Sequence, residues 1–244
     1  MPANTKANEG KMQMTTDLVL GIDEAGRGPA LGPMVLAAVV LDERAAELLA
    51  ERGVRDSKAF GSSAKARETR AKLRQSVEEL ATWVGIEVCG VETIDEYVSR
   101  GALNLLERER AVRLIEAAPA CGRVVADGRT LFSPLTARYS HLEAHDKGES
   151  VHVAVAAASI CAKAQRDALF DEIARRYQPE FGPLRGGGYV NPLTHAFVAE
   201  HVRRHGHLPP EARTSWPWPG DPPPAPGGIF SSFDAAGRRI LQSD

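Results

Sequence analysis

The first sustained apolar run of the chain spans residues 18–22 and the second spans 34–41, and the turn residues between them predict two buried strands that return on each other. Residues 42–50 read as a short helix or turn. Ser63 can cap a helix whose apolar positions are Ala66, Leu73, Val77 and Leu80, with charge elsewhere. Residues 83–89 alternate as a strand does. Thr93-Ile94-Asp95-Glu96 has the spacing of a capping box and opens one long helix toward Ala117, stopped by Pro119 and Gly122. Strands over 124–127 and 139–144, then helices over 151–177 and 194–204, complete the pattern. A hairpin followed by alternating strands and helices predicts an α/β fold, a mixed sheet flanked by helices.

Composition narrows the setting. At 244 residues the chain is long enough for one well-buried domain, placed at 17–208. Residues 1–16 are polar and without period, which predicts a disordered lead-in. From Pro209 onward Pro and Gly accumulate, which predicts a mobile tail over 209–244. A net charge of −2 gives no overall basic signal, so affinity for nucleic acid has to come from a local patch. The three cysteines, Cys89, Cys121 and Cys161, match neither a disulfide framework nor a zinc site and fit a reducing cytoplasm. No run approaches the ~18 apolar residues of a membrane span, and two N-terminal lysines with no apolar core after them predict a protein that is not exported.

The chemistry begins where the first strand ends, at Asp23-Glu24. Buried strands carry adjacent carboxylates only for a reason, because each charge loses its hydration, and a divalent cation is the most economical one. Successive strand residues point to opposite faces, so the two cannot share one ion in ideal strand geometry. Gly26 and Gly28 supply backbone freedom, and Arg27 between them is placed for a phosphate. Asp127, in Asp127-Gly128, again puts a carboxylate at a strand end, although such a pair alone is more often a turn. The Gly26, Gly28, Gly32 spacing superficially matches a dinucleotide fingerprint, but Pro29, Pro33 and the β-branched residues that follow favour a strand over the required helix. Taken singly, Tyr189 reads as a packing residue, and Lys58 and Lys163 as surface lysines.

Together these residues resemble a family. Gly21-Ile22-Asp23-Glu24-Ala25-Gly26-Arg27-Gly28-Pro29 is similar to the opening motif of the type 2 ribonucleases H (ribonuclease HII), and the resemblance covers roughly residues 18–207. It implies a ribonuclease H-like fold with a helical C-terminal extension. The implied activity is metal-assisted hydrolysis, with Mg2+ or Mn2+, of the RNA strand of RNA–DNA hybrids and of DNA 5′ to an embedded ribonucleotide, leaving 3′-hydroxyl and 5′-phosphate ends. It further implies a monomer. Asp23, Glu24 and Asp127 match the family's first three catalytic acids. The fourth departs: counting back from Ala157-Ala158-Ser159-Ile160-Cys161-Ala162-Lys163 lands on Glu149, where the family has Asp, and Asp146 competes for the role. Asp167 matches another recurrent family Asp. By the same resemblance Gly26, Arg27 and Gly28 sense the ribose junction and Tyr189 packs on the following sugar. Ser57, Lys58 and Lys163 would contact phosphate. A module that binds hybrids without cutting is the alternative.

Overall fold

The second apolar run explains the architecture. In this computed structural model, which describes residues 17–54, 63–216 and 218, strand β2 (Met34–Leu41) is buried along its whole length. Met34, Leu36, Ala38 and Val40 enter one hydrophobic core, and Val35, Ala37, Val39 and Leu41 enter another. Side chains alternate across a pleated strand, so an unbroken apolar run is what a strand covered on both faces requires.

Five strands form the sheet in the order β3-β2-β1-β4-β5. β1 (Val19–Ala25) lies at its centre, antiparallel to β2 and parallel to β4 (Arg123–Asp127). β3 (Trp83–Cys89) extends β2 antiparallel, and β5 (Leu142–His145) extends β4 in parallel. Ile22 pairs with Ala126, so one more step along both strands brings Asp23 and Asp127 side by side at the C-terminal ends of two parallel neighbours.

Helices cover each face. α1 (Glu43–Glu51), α2 (Ala64–Leu80) and the 29-residue α6 (Val153–Phe181) build the layer on one side. α3 (Val91–Ser99) and α4 (Leu103–Ala117) lie on the other, with Ile94, Leu106 and Leu114 in its core. The alanines of α6, Ala154 to Ala158, are fully buried because the helix backbone approaches β1 directly. A methyl group built on Gly21 would stand 2.1 Å from the carbonyl carbon of Ala154. The four-residue α5 (Arg129–Phe132) follows β4, and α7 (Pro192–His205) is capped by Asn191, whose Oδ1 accepts from the Leu193 and Thr194 amides. The mixed sheet, its flanking helices and the C-terminal helix agree with the expected class.

Several boundaries differ from the pattern. The long helix expected from Thr93 to Ala117 is two helices, broken at residues 100–102 where Gly101 takes φ +66°. Its first member starts after Gly90 without a side-chain cap, so Thr93 lies inside the helix. The strand expected over 139–144 is Leu142–His145, preceded by a 3-10 turn at Ser133–Ala137. Residues 209–216, assigned by composition to the tail, are packed: Leu31 bridges Ala212, and Arg213 and Trp216 are buried. Aromatic anchors and a buried arginine outweigh proline content here. The lead-in over 1–16, the Ser57-Lys58 cluster and residues 219–244 fall outside the described residues.

Candidate active site

Strand alternation divides the two leading carboxylates. Asp23 stands on the α6 face of β1, where it is 7% exposed and its carboxylate accepts a hydrogen bond from Ser159 of α6. Lys163, one turn further along α6, donates to the Ser159 hydroxyl oxygen at 3.1 Å. An ammonium can only donate, so the hydroxyl proton is left for Asp23. Asp23 Oδ1 also accepts from the Glu24 amide at 2.8 Å. Glu24 stands on the α4 face, where Glu107 of α4 and Arg27 bear on its charge.

The electrostatics follow from burial and crowding. Burial raises Asp23 well above the usual carboxylate range; Glu24 and Asp127 push the same way, against Ser159 and Lys163. Burial likewise raises Glu24 to about 7, with Glu107 and Asp127 adding to it and Arg27 opposing. Asp127 is thus felt by both members of the pair. Its Oδ1 accepts from the Gly148 amide at 2.7 Å, which fixes the carboxylate from the turn that follows β5.

That turn also separates the two candidates for the fourth acid. Lys147 adopts left-handed φ +63°, and the 3-10 turn Gly148–Ser150 after it presents Glu149, half-buried and one residue from the Asp127 contact. Asp146 is exposed, and its Oδ1 accepts from the Arg129 amide at 3.0 Å at the start of α5. Asp167 is engaged elsewhere, accepting from Arg70 Nε at 3.0 Å across the α2–α6 contact. Among the described residues no three His, Cys, Asp or Glu side chains are grouped closely enough to hold an ion as they stand. What strand placement assembles is a set of hard oxygen donors in which the charge of Asp127 raises the pKa of both Asp23 and Glu24.

The glycine turn runs along the same end of the sheet. Gly26 takes φ +89°, and a methyl group there would lie 2.5 Å from the Arg166 side chain and 2.8 Å from the Pro33 carbonyl oxygen, so only glycine fits. Arg27 does not project freely: its guanidinium pairs with the fully buried Glu107 and donates to Asn104 Oδ1 at 2.6 Å. At Gly28 an added methyl would meet nothing nearer than Tyr189 Cε1 at 4.0 Å. Tyr189, 50% exposed, therefore stands over the open side of the turn. The two elements are bonded together, since the Gly188 carbonyl accepts from the Ala30 and Leu31 amides at 2.7 and 3.0 Å. Arg166 braces both, donating to the Leu31 and Gly187 carbonyls at 3.3 and 3.1 Å beneath the Tyr189 ring.

Sequence reasoning gave no part to Glu107, Ser159, Arg166, Arg213 or Trp216. Ser159 left the clearest trace, a single hydroxyl in an otherwise apolar stretch of α6. Glu107 lies among alternating charges over 107–110 that read as a solvated face, and Arg213 and Trp216 lie in a stretch that read as tail.

A family model for ribonuclease HII matches residues 20–217. The chain is 40% identical over 205 residues to a ribonuclease HII of Pyrobaculum neutrophilum, covering 81% of this chain and 93% of that one. It is 35% identical over 205 residues to a ribonuclease HII of Thermococcus sibiricus, covering 80% and 87%. Among solved structures, the ribonuclease H2 of Pyrococcus horikoshii superposes with a TM-score of 0.69 at 28% identity, over 82% of this chain and 93% of that one. With most of its length matched in sequence and in fold, this chain belongs to the ribonuclease HII family.

Proposed function

We propose that the protein is a divalent-metal-dependent endoribonuclease that hydrolyses the RNA strand of RNA–DNA hybrids and nicks duplex DNA on the 5′ side of an embedded ribonucleotide. Membership of the ribonuclease HII family carries the activity on hybrids. What supports the site is that Asp23 and Asp127 end adjacent parallel strands and that Asp127 bears on the charge of both Asp23 and Glu24, beside a glycine turn over which one exposed tyrosine stands.

The donor set fits Mg2+ or Mn2+: buried carboxylate oxygens, with their mutual repulsion left for a cation to relieve. Asp23, Glu24, Asp127 and Glu149 would hold it. When bound, the cation supplies Lewis acidity toward the phosphodiester and a more acidic water. The chain's own residues do the rest. Ser159 and the Gly148 amide hold the Asp23 and Asp127 carboxylates in place. Lys163, on the face of α6 turned toward Asp23, balances negative charge as the phosphate approaches. The Gly26-Arg27-Gly28 backbone can come close to the ribose 2′-hydroxyl on its Gly28 side, where an added methyl would meet nothing nearer than Tyr189 at 4.0 Å, and that hydroxyl alone distinguishes RNA from DNA. Tyr189 offers its exposed ring to the neighbouring sugar. Ser57 and Lys58 are assigned a phosphate contact by the family motif alone. Attack by water forms one P–O bond as the bond to the 3′-oxygen breaks, which leaves 3′-hydroxyl and 5′-phosphate ends. We assign this work to a monomer in the cytoplasm, removing ribonucleotides from DNA.

The deciding experiment is a nicking assay on duplex DNA carrying one ribonucleotide, with Mg2+ or Mn2+ and with chelator. Chelator-sensitive nicking 5′ to the ribonucleotide is expected. Binding without nicking would instead identify a hybrid-binding module, which the family match disfavours.

A further inference from the structure

The glycine turn is held from within the protein by a segment far away in the chain. Arg213 is fully buried, and its guanidinium donates three hydrogen bonds to the turn: Nη2 to the Gly26 carbonyl at 2.6 Å, Nη1 to the Arg27 carbonyl at 3.0 Å and Nε to the Gly32 carbonyl at 3.0 Å. Its own amide donates to the Ala30 carbonyl at 2.9 Å. Trp216 Nε1 donates to the Gly28 carbonyl at 3.1 Å, and Arg213 lies 4.7 Å from the Trp216 ring. Three successive carbonyls, those of Gly26, Arg27 and Gly28, are thereby drawn to one side.

In a trans peptide the C=O and the following N–H point in opposite directions, and no cis bond interrupts this stretch. Drawing in the carbonyls of Gly26 and Arg27 therefore turns the amides of Arg27 and Gly28 outward, away from Arg213. Among the described residues neither amide donates to a backbone acceptor. Tyr189 stands beside the same segment, its Cε1 4.0 Å from where a methyl on Gly28 would lie.

Among the described residues no carboxylate is hydrogen-bonded to Arg213. Asp95, the carboxylate that weighs most on its charge, is taken up by the amides and hydroxyls of Thr214 and Ser215, which pins the Arg213 segment against α3. A fully buried guanidinium without a bonded carboxylate is an expensive way to stabilise a fold. Its fork geometry, matched to several carbonyls at once, is something a lysine cannot reproduce.

We propose that Arg213, with Trp216, is a positioning residue for ribonucleotide selection: it aims the Arg27 and Gly28 amides at the ribose of the scissile junction. The proposal rests on the reading of the glycine turn as the junction sensor. It concerns discrimination between RNA and DNA rather than the hydrolytic step.

The test measures binding in an Asp127→Asn background, which leaves the duplex uncut. Affinities are compared, in Mg2+, for a DNA duplex with one ribonucleotide and the same duplex in all-DNA form. If this parent does not prefer the ribonucleotide duplex, the junction-sensor reading fails before Arg213 is tested. If it does, Trp216→Phe, which removes one N–H and keeps the ring, is expected to lower the preference by about fivefold, and Arg213→Lys by tenfold or more. Thermal unfolding of each variant establishes that it is folded. Where Arg213→Lys folds, an unchanged preference overturns the proposal; where it does not fold, Trp216→Phe decides, and an unchanged preference in that variant overturns it.

Discussion

Glu24 couples the stability of this protein to pH in a direction opposite to that of most surface carboxylates. Burial first, then Glu107 and Asp127, raise its pKa to about 7 from an ordinary 4.5. The native state therefore holds the proton more tightly than the unfolded chain across that interval. The resulting stability is fully present below about pH 4.5, declines as pH rises through the folded pKa, and is gone above about pH 7. The gap corresponds to on the order of 3 kcal/mol. For a chain of this size that is about 6–12 °C in Tm. Glu107, also raised to about 7 by burial, loses its proton over the same window, and the two contributions overlap because the groups interact. Other groups slope differently (burial lowers His152, for instance), so the informative quantity is a difference between variants. With chelator present, Glu24→Gln should flatten the decline between pH 5 and 8 and exceed the wild type in Tm at pH 8. Saturating Mg2+ should restore the wild type, by about 2.7 kcal/mol at a hundred times its Kd, and restore Glu24→Gln much less. Thermal unfolding at five or six pH values measures all of this. Identical pH slopes in wild type and Glu24→Gln would refute the buried, repelled carboxylate on which the metal reading depends.

Three further outcomes follow from particular contacts. Glu149→Gln should lower kcat by about a hundredfold or more with little change in Tm, whereas Asp146→Asn should stay near wild-type activity and shift stability by no more than about 1 kcal/mol through its contact at the start of α5; the reverse order in a nicking assay would move the fourth ligand to Asp146. Gly28→Ala has room for its methyl and should leave Tm within about 1–2 °C while weakening the preference for ribonucleotide duplexes, whereas Gly21→Ala would drive a methyl into the α6 backbone and should destabilise the fold by about 3 kcal/mol or more; equal Tm losses in a melting comparison would show that the two glycines do not divide into site and scaffold. Ser159→Ala removes the donor that lowers the Asp23 pKa, so the acid limb of the pH–rate profile should move upward, and an unmoved limb would rule out that hydrogen bond.

Local pattern determined much of this protein. The unbroken apolar run over 34–41 required a strand covered on both faces, and β2 is one. The Asp23-Glu24 pair at the end of a buried strand and the backbone freedom needed at Gly26 were legible, because strand alternation and positive φ are properties of a few neighbouring residues. The break at Gly101 was missed although its signal is local: a glycine of left-handed φ, with the Gly101 and Ala102 amides folding back to the Val98 and Tyr97 carbonyls, ends the first helix.

Contacts between distant elements were decided by the tertiary structure alone. The register of β1 on β4 brings Asp23 beside Asp127, 104 positions apart in the chain, and no local pattern encodes that distance. The same holds for Glu107 beneath Arg27, a charge buried in a run of charges, and for Arg213, whose stretch reads as a tail until its guanidinium meets the carbonyls of a turn formed by the other end of the domain. Periodicity reports which face of an element is apolar; it carries no information on which remote carbonyl or carboxylate will satisfy a buried charge, and that pairing is what shapes this site.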